Sequence, residues 1–197
     1  MTCAVVVVAG GRGRRFGGDK LAVPLDEAGG PSLLEALLDG VLVLAPRVSL
    51  RLPLVVVGPV RPRLETTGHV TFTQEVPLGS GPAAAATAGL AAAPAADVLV
   101  VLPGDTPFVA TAVPRLVEAL ASSGADAAVG VDHAGRRQHL VLALRPRALE
   151  PADRAGRCAR SLVDGLTVVA VPLTARESLD VDEPEDLERL RRVVRPS

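Results

Sequence analysis

The sequence CAVVVVAGGRGRRFGGDK, residues 3–20, combines an apolar run with a cationic, glycine-rich segment. The apolar, β-branched residues predict a buried strand over residues 4–8. Gly10 and Gly11 then allow a tight turn in which successive backbone N–H groups face an anion. The segment also carries four cations, Arg12, Arg14, Arg15 and Lys20. It fits either a phosphate-binding loop or an ordinary solvated turn, in which Arg12 and Arg14 point into water.

Similar apolar runs recur along the chain and alternate with helical patterns. The further strands are predicted at residues 54–57, 70–73, 98–102, 127–131, 140–144 and 168–171. Ser32 and Glu35 form a capping-box pattern before a helix, and further helices are predicted over 81–92, over 113–121 and after residue 182. This alternation predicts an α/β fold. We expect residues 1–197 to form a single three-layer domain with a doubly wound, mainly parallel sheet and helices on both faces.

Composition excludes several classes of function. The net charge of −1 argues against a general polyanion binder, and 2% aromatic residues leave few platforms for stacking bases. Cys3 and Cys158 form no metal-ligand spacing, which fits a reducing compartment. The first apolar run is too short to span a membrane and no basic segment precedes it. We therefore expect a soluble, cytoplasmic protein with no nucleic-acid or membrane partner.

Two standard glycine motifs do not match the first loop. The P-loop pattern G-x-x-x-x-G-K-[ST] fails because Asp19 separates Gly18 from Lys20, and Leu21 replaces the metal-binding hydroxyl. The dinucleotide pattern G-x-G-x-x-G fails because Phe16 stands at its last glycine.

The segment AGGRGRRFGGDK, residues 9–20, nevertheless resembles the signature A-G-G-x-x-x-R-M-G-x-D-K of nucleotidyltransferases of the molybdenum cofactor guanylyltransferase type, with Phe16 in place of Met. The wider superfamily includes sugar-phosphate nucleotidylyltransferases and cytidylyltransferases. Four further stretches resemble the family in order: EVPLGSGPAAAATAGL (75–90), VLPGDTPFV (101–109), GRRQHLVLALRPRAL (135–149) and LDVDEPEDLERL (179–190). The resemblance covers nearly the whole chain.

The resemblance implies a reaction and a set of site residues. The family transfers GMP from GTP to the phosphate of molybdopterin with Mg²⁺ and releases pyrophosphate. Catalysis would rest on Lys20, Arg15 and Asp105, and the metal would lie at Asp105 and Asp182. The nucleotide would contact Val8, Ala9, Gly10, Gly11, Arg15, Lys20, Glu75, Gly81, Pro82 and Asp105.

The position of Asp105 carries a structural expectation. It follows the predicted strand 98–102, and the carboxyl ends of parallel strands meet at one edge of a sheet, where open α/β folds bind ligands. We expect its carboxylate to lie across a cleft from the Gly10 and Gly11 amides rather than in a buried salt bridge. The alternative is an Asp that only initiates the turn before Pro107.

Other assignments stay open. Asp182 has the spacing of a helix cap, and Asp180 is a second candidate for the metal. Gln74 or Glu75 would contact the base, and Gly58 stands where the family commonly has Asn. The acceptor could instead be a sugar phosphate or another small phosphate, the reaction could be cytidylyl transfer, or the chain could be a catalytically inactive nucleotide-binding module.

Overall fold

A single mixed sheet forms the centre of the protein in a computed structural model, which describes residues 1–11, 13, 15–26, 28–65, 67–148 and 155–194, without the side chains of residues 65 and 194. Arg12 and Arg14 lie outside the described residues. The strands are β1 Cys3–Val8, β2 Leu50–Val57, β3 Val70–Thr73, β4 Val98–Pro103, β5 Ala127–Val131, β6 Arg137–Leu144 and β7 Val168–Pro172. Their order is β3-β2-β1-β4-β6-β5-β7, and only β6 runs antiparallel to its neighbours within this described sheet. The predicted α/β, mainly parallel fold is confirmed.

Helices cover both faces of the sheet. They are α1 Leu33–Val43, α2 Ala45–Val48, α3 Pro62–Glu65, α4 Pro82–Ala92, α5 Val113–Ser122 and α6 Pro184–Val194. On one face α1 and α5 bury an apolar cluster against β1, β2 and β4. On the other face α4 and the 3₁₀ turn Ala159–Leu162 bury a second cluster. No helix of the described residues is both long and apolar enough to cross a membrane.

Strand positions follow from the apolar runs. The runs that predicted the strands form their buried parts, and β1 and β4 are buried along nearly all of their length. β2 and β6 begin earlier than predicted, because each starts with a more polar and more exposed segment that extends beyond the core.

The two predicted helix caps have different outcomes. Ser32 and Glu35 form the expected capping box at α1, with the Glu35 N–H donating to Ser32 Oγ and the Ser32 N–H to Glu35 Oε2. The predicted cap by Asp182 at α6 is wrong. Asp186 Oδ2 accepts instead from the backbone N–H groups of Asp182 and Glu183, at 3.0 and 2.9 Å. The two carboxylate oxygens of Asp182 contact Arg15 and Lys20 of the first loop rather than the helix backbone.

Gly89 explains how closely α4 lies on the sheet. A Cβ at this position would lie 2.2 Å from Val6 Cγ1 and 2.6 Å from Val57 Cγ2. Only glycine permits this approach of the helix to β1 and β2. The amino end of α4 consequently lies at the carboxyl ends of these strands.

Candidate active site

A cleft of about 640 Å³ opens at the carboxyl ends of the parallel strands. Ligand sites of open α/β sheets lie at this edge. Seven of the predicted site residues line the cleft: Val8, Gly10, Gly11, Glu75, Gly81, Pro82 and Asp105. Ala9 is buried directly behind the wall, where its N–H donates to Val57 O at 2.8 Å.

The first loop folds back on itself as it leaves β1. Gly13 has a φ of +53°, and a Cβ there would lie 2.1 Å from Gly18 O, so only glycine fits. The Gly17 N–H donates to Gly13 O at 2.9 Å and closes the turn. Gly10 and Gly11 stay on the cleft side. The structure thus exposes the backbone of Gly10 and Gly11 to whatever occupies the cleft.

Lys20 connects the loop to two carboxylates from distant parts of the chain. Its Nζ lies 2.8 Å from Asp105 Oδ2 and 2.8 Å from Asp182 Oδ1, and its side chain is only 11% exposed. Burial alone would lower the pKa of Lys20, but the charges and hydrogen bonds of the two carboxylates outweigh it and raise that pKa. The hydrogen bond from Lys20 is also the main cause that lowers the pKa of Asp182.

Arg15 is a weaker member of the same group. Its Nη1 lies 3.4 Å from Asp182 Oδ2, and 74% of its side chain is exposed. An exposed pair at this distance contributes little to stability. Arg15 remains available to an anionic ligand that enters from solvent.

Backbone hydrogen bonds to β1 and to the segment before α6 fix the position of Asp105. The Gly104 N–H donates to Val8 O at 2.9 Å, and the Val181 N–H donates to Asp105 O at 3.1 Å. Its carboxylate accepts from Thr106 Oγ1 and from Lys20, and 26% of the side chain is exposed. Asp105 therefore does form a salt bridge, but with the loop lysine at the cleft, and it stays accessible from the cleft.

Asp180 adds a third carboxylate near this pair. Burial is the largest cause that raises the pKa of Asp180, and the negative charges of Asp105, Asp182 and Asp186 raise it further. No group of three or more Asp, Glu, His or Cys side chains among the described residues is arranged to hold a metal unaided. The carboxylate oxygens of Asp105 and Asp182 nevertheless fit Mg²⁺, which prefers one or two carboxylates plus phosphate and water.

Gln74 and Glu75 both line the cleft, in different environments. Glu75 is 7% exposed, and its Oε1 accepts from the Gly79 N–H at 2.9 Å, whereas Gln74 is exposed. Gly58 also lines the cleft, and a Cβ there would lie 2.7 Å from Ala9 O. The close approach to Ala9 leaves no room for a side chain such as Asn at this position.

No pattern in the sequence indicates the ion pair between Asp19 and Arg61. Arg61 Nη1 and Nη2 lie 2.7 and 2.9 Å from the two carboxylate oxygens of Asp19. The two residues are far apart in the chain and lie outside regular strands, so no periodicity or capping pattern relates them. Asp19 is the Asp of the signature of the first loop, so the resemblance draws attention to Asp19 but not to Arg61.

The sequence profile of the MobA-like NTP transferase domain matches residues 5–170. The chain belongs to this family. The predicted resemblance is thereby confirmed, and the protein is a member of a nucleotidyltransferase family. A comparison with curated protein sequences finds no match.

Solved structures share the fold of this MobA-like chain. Molybdopterin-guanine dinucleotide biosynthesis protein A from Archaeoglobus fulgidus superimposes with a TM-score of 0.69 at 23% identity, over 98% of each chain. Rv0371c from Mycobacterium tuberculosis, in complex with manganese, gives 0.66 at 19% identity, over 98% of this chain and 99% of its own. 4-Diphosphocytidyl-2C-methyl-D-erythritol synthase from Anaerococcus prevotii gives 0.65 at 13%, over 98% and 97%. At these identities the likeness is one of fold.

Proposed function

We propose that the protein is a Mg²⁺-dependent nucleotidyltransferase that transfers GMP from GTP to the phosphate of molybdopterin and releases pyrophosphate. The observation that carries the proposal is the 2.8 Å contact of Lys20 Nζ with Asp105 Oδ2, beside the cleft that Gly10 and Gly11 line. This contact joins a glycine-rich cationic loop to a carboxylate at the ligand edge of the sheet. Membership in the MobA-like family supports the reaction class.

In this proposal the protein acts mainly by positioning charges. The backbone N–H groups of Gly10 and Gly11, together with Lys20 and Arg15, bind the triphosphate. An oxygen of the acceptor phosphate forms a bond to the α-phosphorus, and the bond from that phosphorus to the oxygen bridging to the β-phosphate breaks. Pyrophosphate leaves with the electron pair. The Lys20 ammonium stabilises the negative charge that develops, and no side-chain nucleophile is needed.

Asp105 and Asp182 are the residues that would hold the metal. When bound, Mg²⁺ neutralises phosphate charge and orients the phosphates. The manganese complex of Rv0371c supports the use of a divalent cation in this fold. Asp186 contributes indirectly, because its carboxylate fixes the backbone of Asp182.

The nucleotide would extend from this loop along the wall formed by Gly81 and Pro82. Val8 and Ala9 support the phosphates from β1, and the base would approach Gln74 and Glu75. We propose that GTP is preferred because an acidic side chain and backbone groups at this wall can pair with a guanine edge.

Thermal shifts with four nucleotides, with and without Mg²⁺, test the assignment, because a ligand that binds the native state raises its stability by mass action. We expect GTP with Mg²⁺ to raise Tm more than CTP, UTP or ATP. A clear preference for CTP or UTP would favour cytidylyl transfer or a sugar-phosphate acceptor. Pyrophosphate release with a panel of acceptors distinguishes these two reactions. Nucleotide binding with no pyrophosphate release, whichever acceptor is added, would indicate a nucleotide-binding module.

A further inference from the structure

The Asp19–Arg61 ion pair joins two loops at the ligand edge of the sheet. Asp19 ends the glycine-rich loop after β1, and Arg61 lies between β2 and α3. Both terminal nitrogens of Arg61 contact the Asp19 carboxylate, at 2.7 and 2.9 Å, and the Arg61 side chain is 16% exposed. Exposed ion pairs contribute little, but bidentate arginine–carboxylate pairs are stronger and fix orientation. The contact therefore restrains both loops.

Lys20 lies between this contact and a second anchor. Leu21, the next residue, is 4% exposed and packs in the core, where its Cδ1 would lie 3.3 Å from a Cβ at Gly104. Before Asp19 the chain has five glycines in residues 10–18, which lose more conformational freedom on ordering than other residues do. Within the described part of the chain, the backbone at Lys20 itself makes only local hydrogen bonds, to Gly18 O and from the Val23 N–H, so the ion pair is the contact that ties the glycine-rich side of Lys20 to another loop.

We propose that Asp19 and Arg61 are positioning residues, whose ion pair fixes the end of the first loop so that Lys20 stays at Asp105 and Asp182. Neither residue touches the reacting phosphates in this account; both act through Lys20. The catalytic part of the inference rests on the proposed function, whereas the ordering of the loop does not. Arg61 is specific here, because lysine cannot make two parallel bonds to one carboxylate.

The test compares Asp19→Asn, Arg61→Met, Arg61→Lys and the double variant Asp19→Asn/Arg61→Met with the wild type. Arg136→Met is the matched control, since Arg136 forms a 3.0 Å ion pair with Asp132 in the turn between β5 and β6. Amide hydrogen exchange of residues 10–18 is measured without any ligand. Pyrophosphate release then gives kcat and KM for GTP, and thermal melting monitors stability.

We expect loop exchange to become about tenfold faster in Asp19→Asn and Arg61→Met, and no faster in the double variant, because both changes remove the same contact. We expect kcat to fall about tenfold to a hundredfold with a smaller change in KM, since misplacement of a positioned group by about 1 Å costs on that order. Arg61→Lys should recover only part of this loss. Arg136→Met should match the wild type in exchange and kcat.

Wild-type exchange of the loop in Asp19→Asn and Arg61→Met would overturn the inference. So would losses of kcat that multiply in the double variant, because the two residues would then act independently. A wild-type protein that releases no pyrophosphate with any acceptor would contradict the proposed function, and faster loop exchange in the variants would still establish the anchor.

Discussion

Lys20 and Asp105 are separated by 85 residues in sequence, yet the Lys20 Nζ lies 2.8 Å from Asp105 Oδ2. Strands β1 and β4 pair in parallel, so the segments that follow them emerge at the same edge of the sheet. The hydrogen bond from the Gly104 N–H to Val8 O connects the two segments at that edge. An ammonium group and a carboxylate thereby meet beside a cleft that the exposed residues Gly10 and Gly11 line.

Replacing Lys20 with Ala is expected to impair transfer far more than folding. The loss of one preorganised charge at a transition state costs on the order of 10²–10³ in rate. Leu21 still anchors the turn in the core, so the fold should persist. Pyrophosphate release measures the rate and thermal melting measures stability. Wild-type rates in a folded Lys20→Ala protein would leave the loop as an ordinary solvated turn.

Replacing Asp105 with Asn is expected to abolish metal-dependent transfer almost completely. Asn has nearly the same shape and keeps an acceptor for Thr106 Oγ1, but it lacks the charge that Mg²⁺ requires. The variant should fold, and weak metal-free nucleotide binding should survive. Titration with nucleotide in the presence and absence of Mg²⁺ measures both properties. A Mg²⁺-dependent gain in affinity equal to that of the wild type would exclude Asp105 as a metal ligand.

Glu177 is expected to make stability depend on pH. It is 4% exposed and accepts hydrogen bonds from Arg115, Thr111 and the Thr174 N–H. Burial would raise the pKa of Glu177, but these bonds outweigh it and lower that pKa below its ordinary value of 4.5. A lowered carboxyl pKa stabilises the fold above the unfolded pKa, and this contribution is lost as pH falls through the folded pKa.

The variant Glu177→Gln should therefore lose about 1–3 kcal/mol of unfolding free energy at pH 7. The difference in unfolding free energy from the wild type should shrink only below about pH 4.5, where Glu177 of the unfolded chain begins to be protonated. Denaturant unfolding of both proteins between pH 3 and pH 8, in steps of about one unit, measures this difference in unfolding free energy. A difference that stays constant down to pH 3 would show that the ionised form contributes nothing.

Replacing Gly89 with Ala is expected to destabilise the protein by about 1–3 kcal/mol through overpacking against Val6 and Val57. Helix propensity alone predicts the opposite sign, a gain of about 1 kcal/mol. Gly124→Ala is the control, because a Cβ there has no heavy atom within 4 Å beyond its immediate surroundings. Chemical denaturation of both variants decides the sign. A more stable Gly89→Ala protein would contradict the close packing of α4.

Most of the fold could be predicted from the sequence. A buried parallel strand needs a continuous apolar, β-branched run, and in this chain such runs occur mainly where the strands are. The runs at residues 4–8 and 98–102 also predicted the shared edge that brings Lys20 and Asp105 together. The direction of β6 could not be predicted, since an apolar run at residues 140–144 carries no information about which way the strand points. Gly89 illustrates the same limit. In the sequence it only weakens the helical pattern, whereas in the structure it allows α4 to pack closely against Val6 and Val57.

The site was harder to predict where long-range contacts compete with local patterns. Asp182 has the spacing of a cap, but α6 begins at Pro184, and the Asp182 carboxylate contacts Lys20 and Arg15 of the first loop instead. The Asp19–Arg61 pair has no local pattern at all. Such contacts depend on the relative positions of two loops in the folded chain, and neither secondary-structure propensity nor hydrophobic periodicity contains that information.

The most direct test of the proposed transfer uses GTP with a labelled α-phosphate and measures where the label ends. The wild-type protein is incubated with this GTP, molybdopterin and Mg²⁺, with Asp105→Asn and a sample without metal in parallel. We predict that the label moves to molybdopterin with one pyrophosphate released per transfer, and only in the wild-type sample with metal. Label that remains in GTP with molybdopterin, or transfer that proceeds equally well in Asp105→Asn, would contradict it.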